Sequence, residues 1–166
     1  MPKLILIRGN SGSGKTTLAK TLQHKFGHGT LLISQDVVRR EMLYVKDGPD
    51  TRAIGLLQNL LSYGYHNCET VIMEGILRAS WYKPLFESAL EKFGKNIFAY
   101  YYNLPFVETL KRHQSKPNKN EFGEELMRTW WREKDTIGFI KETMLSAEIT
   151  LQQATDIIYA DATKTP

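Results

Sequence analysis

Gly9-Asn10-Ser11-Gly12-Ser13-Gly14-Lys15-Thr16 is the stretch whose reading decides the fold. It matches G-x-x-x-x-G-K-[ST] at every fixed position. Glycines let successive backbone N–H groups wrap around phosphate oxygens at dihedral angles that other residues resist. In such a loop the lysine, here Lys15, reaches the β- and γ-phosphates, and the hydroxyl of Thr16 ligates Mg²⁺. A helix opening at the lysine turns its positive end toward the same anion. Gly9 through Thr16, with Thr17 next to them, are therefore expected to hold ATP or a close relative together with Mg²⁺. With average residue usage the pattern arises by accident in a chain this long roughly once in two hundred. Context separates the motif from a bare glycine-rich turn.

That context lies on both sides. Lys3–Arg8 is an almost unbroken apolar run, as expected of a strand buried on both faces in a parallel sheet. Thr16–Phe26 places Leu18, Leu22 and Phe26 on one helical face, and Gly27 and Gly29 end it. Further along, Thr30–Ser34, Thr70–Met73 running into Glu74-Gly75, Asn96–Tyr102 and Glu142–Leu145 read as strands. Between them, Asp36–Leu43, Thr51–His66 (with Asp50 as N-cap), Trp81–Phe93, Pro105–His113 and Glu124–Asp135 read as helices. Thr150-x-x-Gln153 resembles a capping box that opens a last helix to about Asp161. Ser115–Glu121 is polar and reads as a loop, and Tyr100–Tyr102 alternate faces as core residues. Regular alternation of strand and helix predicts an α/β/α sandwich of three layers around a five-stranded, mainly parallel sheet. Ligands belong at the carboxyl ends of its strands.

Composition agrees with one domain over residues 1–166. Of the 166 residues 42% are hydrophobic and 24% charged, ordinary globular usage without repeats or linkers. No apolar run is long enough to span a membrane, and Lys3 followed by four apolar residues is no secretory signal, so a cytoplasmic location is expected. A net charge of +4 suits a polyanionic ligand and is compatible with nucleic acid, although the basic residues form no long run. Cys68 stands alone and reads as a helix residue. His24 and His28 have metal-ligand spacing, but Gly27 ends the helix between them and no third ligand is evident.

Taken together, the loop and its flanks resemble the small P-loop kinases: adenylate-type and gluconate kinases, chloramphenicol phosphotransferase, zeta toxins and the kinase domain of polynucleotide 5′-kinase. The resemblance is spread over most of the chain and is most specific in its first third. It implies a P-loop NTPase fold with a mobile helical lid and transfer of the γ-phosphoryl group of ATP to a hydroxyl acceptor.

Such a transfer needs an acceptor oriented in line with the γ-phosphate. Asp36 and Arg39 lie just beyond the second expected strand, on the same sheet edge as the glycine-rich loop. By residue type alone, Asp36 serves equally as an N-cap, and Arg39 or Arg40 as solvated helix residues paired with it. The D-x-x-R spacing is similar to the corresponding element of polynucleotide kinase, which implies that Asp36 is the acceptor-activating base and that Arg39 holds an acceptor-side group. Glu74, ending the third strand, either holds Mg²⁺ through water with Thr16 or orients the acceptor; it stands where an aspartate is commoner. Arg78 is a further candidate for substrate contact.

The resemblance also places Arg112 near the end of the helix after the fourth strand, against the nucleotide. It makes residues from about 112 to 134 a lid that brings Arg128 and Arg132 to the phosphoryl group. On a continuous helix these two arginines share a face, and either also has Glu124 or Glu125 as a surface partner. Of the adjacent Trp130 and Trp131, one is expected to pack and the other to cover the acceptor. His113 reads as a surface histidine or a nucleotide contact. Ser146–Ile149 lies by analogy near adenine.

A nucleoside, a sugar, an antibiotic and a nucleic-acid 5′ end all remain open as acceptor. The competing reading is an ATPase or nucleotide-dependent switch without small-molecule acceptor. A guanine-specific switch would carry Asn-Lys-x-Asp, whereas Asn118-Lys119-Asn120-Glu121 ends in the wrong residue. A nucleic-acid module with a vestigial loop lacks a recognisable binding motif.

Overall fold

A computed structural model describes residues 1–116 and 119–164. Pro117 and Asn118, in the expected loop Ser115–Glu121 and the near-match to the guanine motif, lie outside the described residues.

Five strands form the centre: β1 (Lys3–Gly9), β2 (Leu31–Ser34), β3 (Thr70–Gly75), β4 (Ile97–Tyr102) and β5 (Glu142–Leu145). They pair in the order β2-β3-β1-β4-β5, and every pairing is parallel, so the sheet expected to be mainly parallel is wholly so. The alternation inside β1 sorts the layers. Leu4 and Leu6 join Val71, Met73 and Ile33 on one face, beneath α2 (Ala53–Asn67) and α3 (Lys83–Phe93). Ile5 and Ile7 join Ile72, Tyr100 and Tyr102 on the other, beneath α1 (Lys15–Phe26) and α6 (Leu151–Thr163). A strand covered on both faces has no polar side to show, which is why β1 and β3 are apolar between their first residue and their last two. Leu18 and Leu22 are fully buried against that second face, with Phe26 partly so.

Where α2 crosses β3, Gly64 leaves no room for a side chain: a Cβ there would lie 2.5 Å from Val71 Cγ2. The last helix starts as expected, with Thr150 Oγ1 accepting from Gln153 N at 3.1 Å and Gln153 Oε1 accepting from Thr150 N at 2.9 Å. Asp50 is not the cap of α2. Arg52 occupies that position, and the N–H of Ala53 at the helix start donates to Thr51 Oγ1 at 3.3 Å.

Two helices differ from expectation in ways that shape the site. The segment after β2 is a π-helix, Val37–Met42, with Leu43 N donating to Val38 O at 3.0 Å. The helix expected over Glu124–Asp135 stops early: α5 covers Glu124–Trp130, and Trp131 turns to extended dihedrals. Arg128 and Arg132 consequently do not share a helical face. The chain beyond is held by tertiary contacts. Asp135 Oδ2 accepts from Arg8 Nη2 at 2.9 Å and from Ala79 N at 2.8 Å, and Asp135 N donates to Tyr101 Oη at 3.1 Å. Arg8 is fully buried, and its Nη1 also meets Glu142 Oε1 at 2.7 Å.

Candidate active site at the carboxyl edge of the sheet

Most of the candidate groups converge on the edge where the parallel strands end. Gly9 closes β1, Ser34 closes β2 just before Gln35 and Asp36, and Glu74 is the penultimate residue of β3. In the loop after β1, Gly12 and Gly14 take φ of 81° and 100°, the left-handed region that favours glycine. At Gly12 a Cβ would lie 2.4 Å from Thr109 O, so the loop lies directly against α4 (Phe106–Gln114).

Lys15 is buried, and its Nζ donates to Asn10 O at 2.9 Å and contacts Ser13 Oγ at 3.3 Å. Burial pushes its ammonium down to about 8, while the Glu74 carboxylate pulls the other way. A buried lysine leaning on loop oxygens is a cation prepared for the oxygens of a phosphate. Thr16 Oγ1 donates to Glu74 Oε1 at 3.1 Å, and Ser34 Oγ donates to the same oxygen at 2.7 Å. Two hydroxyls and a carboxylate are hard oxygen donors and fit Mg²⁺. Among the described residues no cluster of three or more His, Cys, Asp or Glu could hold a metal by itself.

The arginines separate. Arg112 Nη1 donates to Ser13 O at 2.7 Å, and Glu108 Oε1 accepts from its Nε at 3.0 Å. Its Nη2 lies 3.5 Å from Ala147 O, which brings the Ser146–Ile149 loop beside the glycine-rich loop. Arg132 lines the cleft described below, and its backbone is clasped by the Asn10 side chain: Asn10 Oδ1 accepts from Arg132 N at 2.8 Å and Asn10 Nδ2 donates to Arg132 O at 2.6 Å. Arg128 stands apart. It is exposed, pairs with Glu124 Oε1 at 3.0 Å and lies over the Phe106 ring at 4.3 Å.

A cleft of about 480 Å³ opens beside the glycine-rich loop, with Ser11, Asp36 and Arg39 in its wall. Asp36 has helical dihedrals and makes no side-chain cap bond. Arg39 Nη2 lies 3.6 Å and Arg40 Nε 3.8 Å from its Oδ1 instead. Arg78 and Arg132 also line the cleft. Trp130 faces it, whereas Trp131 sits edge-on to Phe106 and lines a separate cavity of about 250 Å³.

Several participants had no signature in the sequence. Buried Gln35 donates from Nε2 to Tyr82 Oη at 2.8 Å and accepts Leu77 N at 3.1 Å through Oε1, while Tyr82 Oη donates to Asp47 Oδ1 at 2.6 Å. This network carries Asp47, read as part of a turn, into the cleft wall. Lys116, from the chain after α4, has its ammonium pushed down by burial, with Glu74 and Asp36 pulling it back up. His113 is not a surface histidine: it is buried, stacks on Phe122 at 4.5 Å and sets Nε2 against the carbonyls of Lys119 and Phe122 at 3.1 and 2.8 Å.

Residues 4–135 match a family of AAA domains (AAA_33), and the chain belongs to that family. Comparison with curated proteins gives no match. Among solved structures the chain is similar to a gluconokinase from Sinorhizobium meliloti, at 17% identity and a TM-score of 0.61 over 97% of this chain and 94% of that one. It is similar to the APS kinase of Mycobacterium tuberculosis, at 17% identity and a TM-score of 0.64 over 95% and 96%. A shikimate kinase from Bacteroides thetaiotaomicron matches at 15% identity and a TM-score of 0.58 over 94% and 96%. At such identities the likeness speaks for the fold, which is that of the small P-loop kinases. Among the described residues no helix is long and apolar enough to cross a membrane.

Proposed function

We propose that this protein is an ATP- and Mg²⁺-dependent kinase that transfers the γ-phosphoryl group to a hydroxyl of an acceptor held in the cleft beside the glycine-rich loop. The observation that carries this reading is that one cleft is lined by Ser11 of that loop and by Asp36 and Arg39. An acceptor there lies next to the phosphate loop and against a carboxylate. In support, the similar APS kinase was solved with AMPPNP and APS bound together.

In this mechanism Gly9–Thr16, with Thr17 beside them, hold the phosphates, and Lys15 neutralises the β- and γ-oxygens. Thr16 and Glu74 would hold Mg²⁺, whose chemistry there would be to offset phosphate charge. The acceptor oxygen forms its bond to the γ-phosphorus as the β–γ bridging bond breaks. Its proton passes to the Asp36 carboxylate, and ADP leaves with the bonding electron pair. Residues 112–134 act as the lid of a single domain over 1–166. Arg112 steadies the loop, Arg132 faces the transferring group, and Arg128 reaches it only if the lid moves further.

The test is ADP release from Mg-ATP, first alone and then with pooled nucleosides, sugars, antibiotics and 5′-hydroxyl oligonucleotides. Stimulation by one pool, with Asp36→Asn sparing nucleotide affinity and cutting transfer about a hundredfold or more, is the expected result. Turnover that ignores every acceptor and the Asp36→Asn change would make the protein an ATPase or switch.

A further inference from the structure

The glycine-rich pattern leaves the second position of its loop open to any residue, so the motif itself gives no reason for Asn10. The fold gives one. Asn10 is 5% exposed, and its amide pairs twice with a single residue 122 positions away. Oδ1 accepts from Arg132 N at 2.8 Å, and Nδ2 donates to Arg132 O at 2.6 Å. An amide turned the other way would set like against like at both atoms. The side chain thus treats Arg132 as a neighbouring strand would, holding both polar groups of its backbone.

The backbone of the same residue belongs to the phosphate site, where Asn10 O accepts from Lys15 Nζ at 2.9 Å. One residue therefore ties together two cations that the proposed mechanism brings to the phosphoryl group. Arg132 needs such an anchor. It is exposed, and its long side chain carries much rotamer freedom, so the point that the protein can fix is the backbone from which it springs.

The attachment has a second end. Three residues on, Asp135 is held by Arg8 Nη2 at 2.9 Å and by Ala79 N at 2.8 Å. Between the two, Lys134 takes a φ of 44°, a left-handed conformation that residues with a Cβ resist. Such backbone persists where its surroundings impose it. The helix α5 has already ended at Trp130, so Arg132 stands at the anchored end of the lid and not on its helix.

We propose that Asn10 is a positioning residue: from inside the phosphate loop it fixes the backbone of Arg132, so that this arginine meets the transferring group in register with the bound nucleotide. The assignment rests on the kinase reading and deepens it. It separates Arg132, whose place is set by the nucleotide site, from Arg128, whose place is set by the lid.

Asn10→Leu keeps a side chain of comparable size and removes both hydrogen bonds. The test is a double-mutant cycle with Arg132→Ala, read as kcat/KM for the pool of nucleosides, sugars, antibiotics or 5′-hydroxyl oligonucleotides that most stimulates ADP release from Mg-ATP. Asn10→Leu should lower that value about tenfold or more in the parent, and less than about twofold in the Arg132→Ala background, where the arginine it places is gone. A loss of similar size in both backgrounds means that Asn10 acts on the loop or on folding, and overturns the assignment while leaving the kinase reading standing. A second readout needs no acceptor. With Trp81→Phe and Trp130→Phe in place, Trp131 is the sole tryptophan, and it adjoins Arg132. Asn10→Leu should raise its quenching by acrylamide in the nucleotide-free protein about twofold, as the chain beside it is released. Unchanged quenching overturns the assignment whatever the acceptor. Turnover that no acceptor stimulates overturns the kinase reading and, with it, the role in transfer.

Discussion

Lys15 places a titration inside the nucleotide site. Its ammonium is held at about 8, below the ordinary 10.5, because burial strips its water and Glu74 restores only part of the loss. The lysine is then about nine-tenths charged at pH 7 and about one-tenth at pH 9. Phosphate oxygens select the charged form, so the bound pKa lies above the free one. Affinity is therefore full below the free pKa and falls as pH rises through it. Apparent affinity scales with the competent fraction, so Mg-ADP should bind about tenfold more weakly at pH 9 than at pH 7, about 1.4 kcal/mol. At pH 8 binding should take up about half a proton, visible in calorimetry as a heat that changes with the ionisation enthalpy of the buffer. Lys116 is pushed down by burial as well and acts in the same direction. A Lys116→Met variant separates the two, and Lys15→Arg, whose guanidinium stays charged, should flatten the profile whatever its affinity. Constant affinity from pH 7 to 9 without proton uptake would refute the reasoning.

Other consequences follow from single contacts. Glu74→Gln keeps a hydrogen-bond acceptor for Thr16 and Ser34 but removes the charge, so Mg²⁺-dependent nucleotide binding should weaken by about tenfold to a hundredfold, read by titrating Mg²⁺ at fixed ADP. Arg8→Leu leaves Glu142 buried without its cation and takes one of the donors from Asp135. Urea unfolding should show a loss of about 3–5 kcal/mol. Gly64→Ala drives a methyl to 2.5 Å from Val71 and should cost about 1–3 kcal/mol, lowering the melting temperature by several degrees.

Much of this molecule is written in local periodicity. Strands buried on both faces must be apolar along their length, so β1, β3 and β4 stand out in the sequence, and their alternation with helices implies the parallel sheet. The glycine-rich loop is legible because backbone wrapping around phosphate demands glycine at fixed places. Glu74 and Asp36 are legible as acids at strand ends, since topology puts those ends on one edge. Local pattern misleads where long-range contacts win. The helix after Glu124 has helical composition through Asp135, yet it ends at Trp130, after which Asn10 clasps Arg132 and Arg8 draws in Asp135. Asp50 looks like a cap, but α2 begins only at Ala53, which puts Arg52 in that place.

Much of the lining of the cleft, by contrast, was decided by the tertiary structure. Asp47, Trp81, Phe122 and Trp130 come from four separate segments, and nothing in their spacing marks them as neighbours. Gln35 and Tyr82 bring Asp47 inward through hydrogen bonds that no periodicity encodes. A phosphate loop is one contiguous stretch whose geometry is set by its own backbone, so the sequence alone determined it. A substrate cleft is a void between packed elements, and its chemistry appears only once packing decides which side chains surround it.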